Sequence, residues 1–264
     1  MNNKHGDFVW YELLTGDVGS AEAFYSKILG WSIEKTDFPD MDYRLASAED
    51  ATTREKHDVA GLMQLTEEMI AGGAHPVWLG YIGVDDVDAS VEGMVADGGS
   101  VMMPAVDIPG VGRMAMLTDP QGVPFYVMKD SSGSPSMAFA NDQARPGHCA
   151  WNELATTDLV GAWEFYGHHF GWSKDGEMDM GPMGSYQFIR HGDMIGAIMT
   201  KPDEMPVPMW SFYFRVTDID AAAEKIGSSD GQVMHGPQEI PGGEFIISAL
   251  DPTGAMFSLV GPRV

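Results

Sequence analysis

A single cysteine, Cys149, is the whole thiol complement of this 264-residue chain. One thiol forms no intramolecular disulfide and no thiolate metal cluster. Basic side chains are scarce too: 15 Lys and Arg against 39 Asp and Glu leave a formal charge of −24. Such a chain has no basic stripe to follow a phosphate backbone, which excludes nucleic acid as a partner, and anionic membrane surfaces repel it. Long apolar runs are also missing. None approaches the roughly 20 residues that span a bilayer, and the first residues carry no signal-peptide core, so no membrane partner and a cytoplasmic location are expected.

What is present is a repeat. Residues Trp10 to Trp31 align without a gap on Trp151 to Trp172, an offset of 141, with ten of 22 positions identical. The shared letters in the first copy are Trp10, Glu12, Leu13, Thr15, Asp17, Ala21, Phe24, Tyr25, Gly30 and Trp31. A second block recurs at an offset of 132: Pro76, Trp78, Tyr81, Val84, Asp86 and Asp88 return as Pro208, Trp210, Tyr213, Val216, Asp218 and Asp220. Each copy then runs to a D-P-x-G tetrapeptide, Asp119–Gly122 or Asp251–Gly254. A repeat this long implies two tandem domains of one fold. The expected boundaries are 1–130 and 146–264. Between them, 131–145 is rich in Ser, Gly and Pro and reads as a linker, with Met137 and Phe139 expected to pack on a domain.

Each copy divides again. A strand (Phe8 to Leu14, or His148 to Ala155) precedes an aspartate placed to cap a helix, Asp17 or Asp158. Apolar residues follow at helical spacing, such as Ala21, Phe24, Tyr25 and Ile28, and Gly30 or Gly171 stands where a left-handed C-cap ends the helix. The pattern recurs with strand Val77 to Val84 and cap Asp86, and with strand Met209 to Val216 and cap Asp218. Short strands broken by Gly and Pro complete each module. The expected fold is α+β, with four βαβββ modules.

The order of these motifs, given twice, resembles the vicinal oxygen chelate superfamily of glyoxalases, bleomycin-resistance proteins and extradiol dioxygenases. The resemblance covers nearly the whole chain. It implies that paired modules form a cup-shaped mixed sheet with the chemistry inside, and that metal-dependent relatives place ligands on the first and last strands of the modules. Those slots fall here on Trp10, Leu79 and Tyr126, and on Trp151, Ser211 and Ser258. None offers the imidazole or carboxylate that a divalent ion takes. No metal and no other cofactor is therefore expected, and the two-histidine, one-carboxylate set of a dioxygenase is missing. The eight histidines read as surface residues, and His168 and His169, consecutive on a helix, point about 100° apart and are not expected to chelate together.

By strand parity Trp10, Glu12, Tyr81 and Tyr126 line one cup, and Trp151, Glu153, Tyr213, Arg215 and Ser258 the other. Aromatic walls with a few polar groups suit a small-molecule ligand. Glu12 and Glu153 are the catalytic candidates: desolvation beside a tryptophan raises a carboxyl pKa toward general-base range. Equally, both are structural acceptors for a neighbouring strand. Arg215 either pairs with Glu153 or binds a ligand's carboxylate, and its counterpart is Gly83. The loops Ile108–Gly112 and Ile240–Gly243 either gate the cups or merely join strands. Two functions follow: a metal-independent binder of a small aromatic or cationic molecule, or an enzyme, either a glyoxalase-like lyase or isomerase or another such as a hydrolase, using Glu12 or Glu153 as general base. The chain is expected to act as a monomer with pseudo-two-fold domain pairing or as a homodimer.

Overall fold

The computed structural model describes residues 3–38, 41–50, 53–140 and 142–264, so Asn141 of the expected linker lies outside the described residues. The first repeat contains β1 (Phe8–Thr15), α1 (Val18–Leu29), β2 (Ser32–Lys35), β3 (Tyr43–Glu49), β4 (Lys56–Gln64) and a short α2 (Glu67–Ala71). It continues with β5 (Val77–Gly83), α3 (Val87–Ala96), β6 (Ser100–Ile108), β7 (Gly112–Thr118) and β8 (Pro124–Asp130). The second repeat gives β9 (Cys149–Thr156), α4 (Leu159–Phe170), β10 (Ser173–Asp179), β11 (Ser185–His191) and β12 (Asp193–Thr200). Then come β13 (Met209–Arg215), α5 (Ile219–Gly227), β14 (Gln232–Glu239), β15 (Phe245–Leu250) and β16 (Met256–Gly261).

The fold is α+β. The strands form two eight-stranded mixed sheets, in the orders β2-β3-β4-β1-β5-β8-β7-β6 and β10-β11-β12-β9-β13-β16-β15-β14. The module helices start and stop as their sequences dictate. Asp17, Asp86, Asp158 and Asp218 each accept a backbone N–H of the first turn. Gly30 and Gly171 close α1 and α4 in the left-handed region, at φ 72° and 68°. The stretch after β8 is not loose: Phe139 bridges Cys149, and Ala138 and Ala140 are buried.

Compactness divides the chain differently from its sequence order. One unit gathers Met1–Val9, Leu79–Ser136 and Asn152–Ser211; the other gathers Trp10–Trp78, Met137–Trp151 and Phe212–Val264. Each unit thus combines a module from each repeat, and the repeated letters explain why. In the second unit, Trp78 Nε1–H donates to Tyr25 Oη at 2.9 Å, and the Tyr25 hydroxyl donates to Asp251 Oδ2 at 3.1 Å. In the first unit, Trp210 Nε1–H donates to Tyr166 Oη at 3.2 Å, and Tyr166 donates to Asp119 Oδ2 at 3.1 Å. The other oxygen of each aspartate folds its own D-P-x-G turn, accepting from Gln121 and Val123 or from Thr253 and Ala255. Each tyrosine is therefore held by the aspartate of the other repeat.

Burial raises the pKa of both phenols well above the ordinary value, so they stay protonated donors. Aromatic rings complete each cluster. Tyr25 stacks on Trp31 at 5.8 Å, and Tyr166 on Trp172 at 5.5 Å. The two indoles donate to Gly147 O and Gly6 O respectively. Trp31, Trp78, Trp172, Trp210, Phe24, Phe125, Phe165 and Phe257 are all buried, as their spacing predicts.

Candidate functional site

In the second unit, Glu12 is 4% exposed on β1, in register with Gly61 of β4. A Cβ at Gly61 would lie 1.9 Å from Tyr43 Oη, so the absence of a side chain there admits the tyrosine tip. Tyr43 uses that space to accept the indole N–H of half-buried Trp10 at 3.1 Å. Further along the chain, Ala150, Tyr213 and Val260 form a buried cluster against which Trp151, Ile240 and Ile246 pack. Ser258 lies opposite Tyr213 in the β13–β16 ladder, and its hydroxyl shares a hydrogen bond with Ser248 at 3.2 Å. Buried Cys149 follows the same chemistry: desolvation pushes its thiol up to about 12, which keeps it an unreactive thiol.

Arg215 takes a different acid from the one expected. Its two terminal nitrogens fork onto both oxygens of Glu244, in a bidentate pair, instead of reaching Glu153. Glu244 ends the Ile240 loop, whose turn is closed by Ile240 N–H to Glu244 O at 2.9 Å and Gly243 N–H to Ile240 O at 3.1 Å. The loop is thus tied down at both ends, by its apolar Ile240 and by the ion pair.

The first unit carries the remaining candidates. Tyr81 and Tyr126 are neighbours in the β5–β8 ladder and stack with ring centres 4.1 Å apart and planes 8° from parallel. Glu153 is half-buried on β9, opposite Ala197, and accepts the Tyr186 hydroxyl at 2.7 Å. That bond fixes the orientation of the carboxylate.

Comparison with known proteins agrees with this architecture. The sequence profile described as Glyoxalase/Bleomycin resistance protein/Dioxygenase superfamily matches residues 7–127 and again 145–259. The chain belongs to that superfamily. It is 33% identical over 261 residues to "Putative glyoxylase CFP32" of Mycobacterium bovis, covering 98% of this chain and 96% of the relative. It is 29% identical over 265 residues to the anthracycline biosynthesis protein DnrV of Streptomyces peucetius, covering 96% and 92%. Among solved structures, the Mn(II)-bound glyoxalase of Novosphingobium aromaticivorans superposes with a TM-score of 0.66 at 16% identity, over all of this chain and 84% of that one. The 2,3-dioxygenase LapB of a Pseudomonas species gives 0.63 at 13% identity, covering 98% and 94%. At such identities these structures speak for the fold alone.

Two features of this superfamily member were not expected from its residues. Not all the histidines are surface groups: His148 is 1% exposed, and the His169 side chain is 8% exposed. Burial lowers the pKa of both imidazoles and favours their neutral forms. His168 and His169 also converge where divergence was expected. Their Nε2 atoms lie 3.7 and 3.1 Å from one oxygen of Asp97. The helical wheel describes Cβ directions, and two imidazole rings are long enough to close the angle onto a group in the groove between them. Asp97 supplies that group from a separate helix, which no local spacing reveals. Separately, a shallow cleft of about 170 Å³ in the first unit, lined by His5, Val84, Asp85, Met128 and Lys129, contains none of the predicted residues.

No helix among the described residues is long and apolar enough to cross a membrane.

Proposed function

We propose that this superfamily member is a metal-independent binder of a small, flat aromatic molecule, held on the sheet faces that carry its tryptophan and tyrosine pairs. The observation that carries this reading is the chemistry at the six slots where metal-dependent relatives are expected to place ligands. Trp10 donates its N–H to Tyr43, Tyr126 is stacked on Tyr81, Ser258 is bonded to Ser248, and Leu79 is an alkyl chain. Trp151 and Ser211 complete the set. Indole, phenol, hydroxyl and alkyl groups do not fit a divalent ion, which takes imidazole or carboxylate. They do suit a π-faced ligand, and half-buried Trp151 beside Tyr213, with Arg215 on the strand of Tyr213 and paired to Glu244 of the following loop, supplies aromatic surface with one polar anchor. The anthracycline biosynthesis relative points to the same ligand class, since an anthracycline is a fused-ring aromatic.

Doxorubicin, titrated into the full chain while tryptophan fluorescence is followed, tests the reading. Saturable quenching that survives EDTA and weakens at least tenfold in Trp151→Ala is expected. Quenching that never saturates, or that EDTA abolishes, overturns it.

A second reading rests on Glu153. A half-buried carboxylate oriented by the Tyr186 hydroxyl is equipped to act as a general base, and CFP32 is named as a glyoxylase. Turnover of the methylglyoxal–glutathione adduct that falls at least a hundredfold in Glu153→Gln would favour this enzyme; no turnover above the buffer rate removes it.

A further inference from the structure

We propose that Asp97, His168 and His169 form a binding site for a divalent transition-metal ion of the zinc class, where the end of α3 meets the last turn of α4. One atom from each residue, an oxygen of Asp97 and a ring nitrogen of each histidine, lies within 4.8 Å of the other two. Tetrahedral zinc with bonds of about 2.0–2.2 Å needs ligand atoms about 3.3–3.6 Å apart. The Asp97 oxygen already stands 3.1 Å from His169 Nε2 and 3.7 Å from His168 Nε2. His168 is the one that must close in, and with its side chain 73% exposed it is free to swing.

Two further observations point to an ion. His169 Nε2 is buried and makes no well-aligned N–H···O bond, although an aspartate oxygen is 3.1 Å away; that placement suits a shared cation. Its ring is held against α3, where a Cβ at Gly93 would come within 3.5 Å of it, and packs edge-on against Phe165 at 4.7 Å. A ligand fixed before its metal arrives loses little entropy on binding.

The second observation is the corresponding place in the other unit. By the repeat offsets, His168 corresponds to Lys27 and Asp97 to Ser229. There the Lys27 ammonium donates to Ser229 Oγ at 2.7 Å and to Ser228 Oγ at 3.2 Å, with Ser228 O at 3.4 Å. A cation therefore neutralises the negative end of α5. At the end of α3 the need is greater, because Asp97 adds a full negative charge and the last turn holds no basic residue. Here Lys27 and the Ile28 after it correspond to His168 and His169, and two imidazoles with a carboxylate are the donor set that a zinc-class ion selects.

The site lies outside the residues proposed for the aromatic ligand, so its success or failure leaves that reading untouched. The full chain, stripped with chelator, is titrated with Co2+ by visible absorption and then with Zn2+ as competitor. One Co2+ band displaced by Zn2+ is expected, with His168→Asn and Asp97→Asn each weakening zinc at least tenfold and Lys27→Ala leaving it unchanged. Both substituted side chains are at least half exposed, so apo circular dichroism should be unaltered. Zinc affinity in both variants within threefold of the parent, or no cobalt uptake at all, overturns the site. Variants that lower apo stability without any metal uptake reveal an ordinary histidine–aspartate ion pair and overturn it equally.

Discussion

The two compact units share a skeleton and differ in what is mounted on it. Each has the same buried Trp–Tyr–Asp chain, and even its backbone joints repeat. Gly83 exchanges backbone hydrogen bonds with Gly6 and Asp7, and Arg215 exchanges the equivalent ones with Gly147 and His148. Yet Arg215 and Glu244, an ion pair in the second unit, correspond to Gly83 and Gly112 in the first. Both positions of the pair are glycine in the first unit. At Gly112 nothing else fits, since a Cβ there would lie 2.2 Å from Lys129 O. The tyrosines show the same divergence. Tyr43 and Tyr186 occupy matching registers, opposite Met63 and Met199, but one receives Trp10 and the other donates to Glu153. The residue beneath accounts for this: Gly61 gives Tyr43 a seat that Ala197 denies Tyr186. The clasp is common to both units, and the difference lies on the sheet faces.

The comparison breaks most visibly at the shared clasp. Tyr25→Phe and Tyr166→Phe each remove a hydroxyl that serves one buried donor and one buried acceptor, and each should cost about 2–3 kcal/mol in urea unfolding. A difference of more than about 1 kcal/mol between them would show that the two chains are not equivalent. Next in size is Gly112→Glu, which copies Glu244 into the first unit. The close approach to Lys129 O predicts a loss of about 2 kcal/mol. A neutral result would show that the loop has room to yield.

A pH-dependent contrast is smaller. Burial holds the Asp119 carboxyl above the ordinary aspartate pKa, with only part of that offset by its hydrogen bonds. Its contribution to stability is thus fully present below about pH 3.9, the unfolded value, and is lost as pH rises through the folded pKa. Asp88 has the opposite sign, because the Arg113 fork lowers its pKa. Its contribution is present above about pH 3.9 and lost on acidification. Carboxyl carbon NMR titration should place Asp119 above 3.8 and Asp88 below it; the reverse order would refute the assignment. Smallest of all, Gly61→Ala should shift unfolding by under about 1 kcal/mol, since only the tip of Tyr43 must move. Its signature is a change in Trp10 emission as the indole loses its phenol partner, and unchanged emission would mean that Tyr43 keeps its place.

The architecture was legible because its signals are local. Capping aspartates, C-cap glycines and strand–helix punctuation each depend on a few neighbouring residues, and the double repeat confirmed every assignment with a second copy. The core tryptophans followed from parity in the same way. Pairings between distant segments were not legible. Nothing near Arg215 in the sequence nominates Glu244 over Glu153, because the loop that delivers Glu244 is set by two glycines and by the packing of Ile240. The meeting of Asp97 with His168 and His169 depends on two helix ends belonging to different repeats. Likewise, the repeated Tyr and Asp letters were visible as a pattern, but their bonding across repeats was not.

That crossing has a consequence for how the gene can be cut. A fragment ending near residue 130 would carry Tyr25 without Asp251 and Asp119 without Tyr166, leaving an orphaned phenol and an orphaned carboxylate in apolar surroundings. Neither half is a freestanding module in that sense. Two separately expressed halves should seek one another out, each supplying the acceptor or donor that the other has lost, so that the broken polypeptide reassembles as a noncovalent pair.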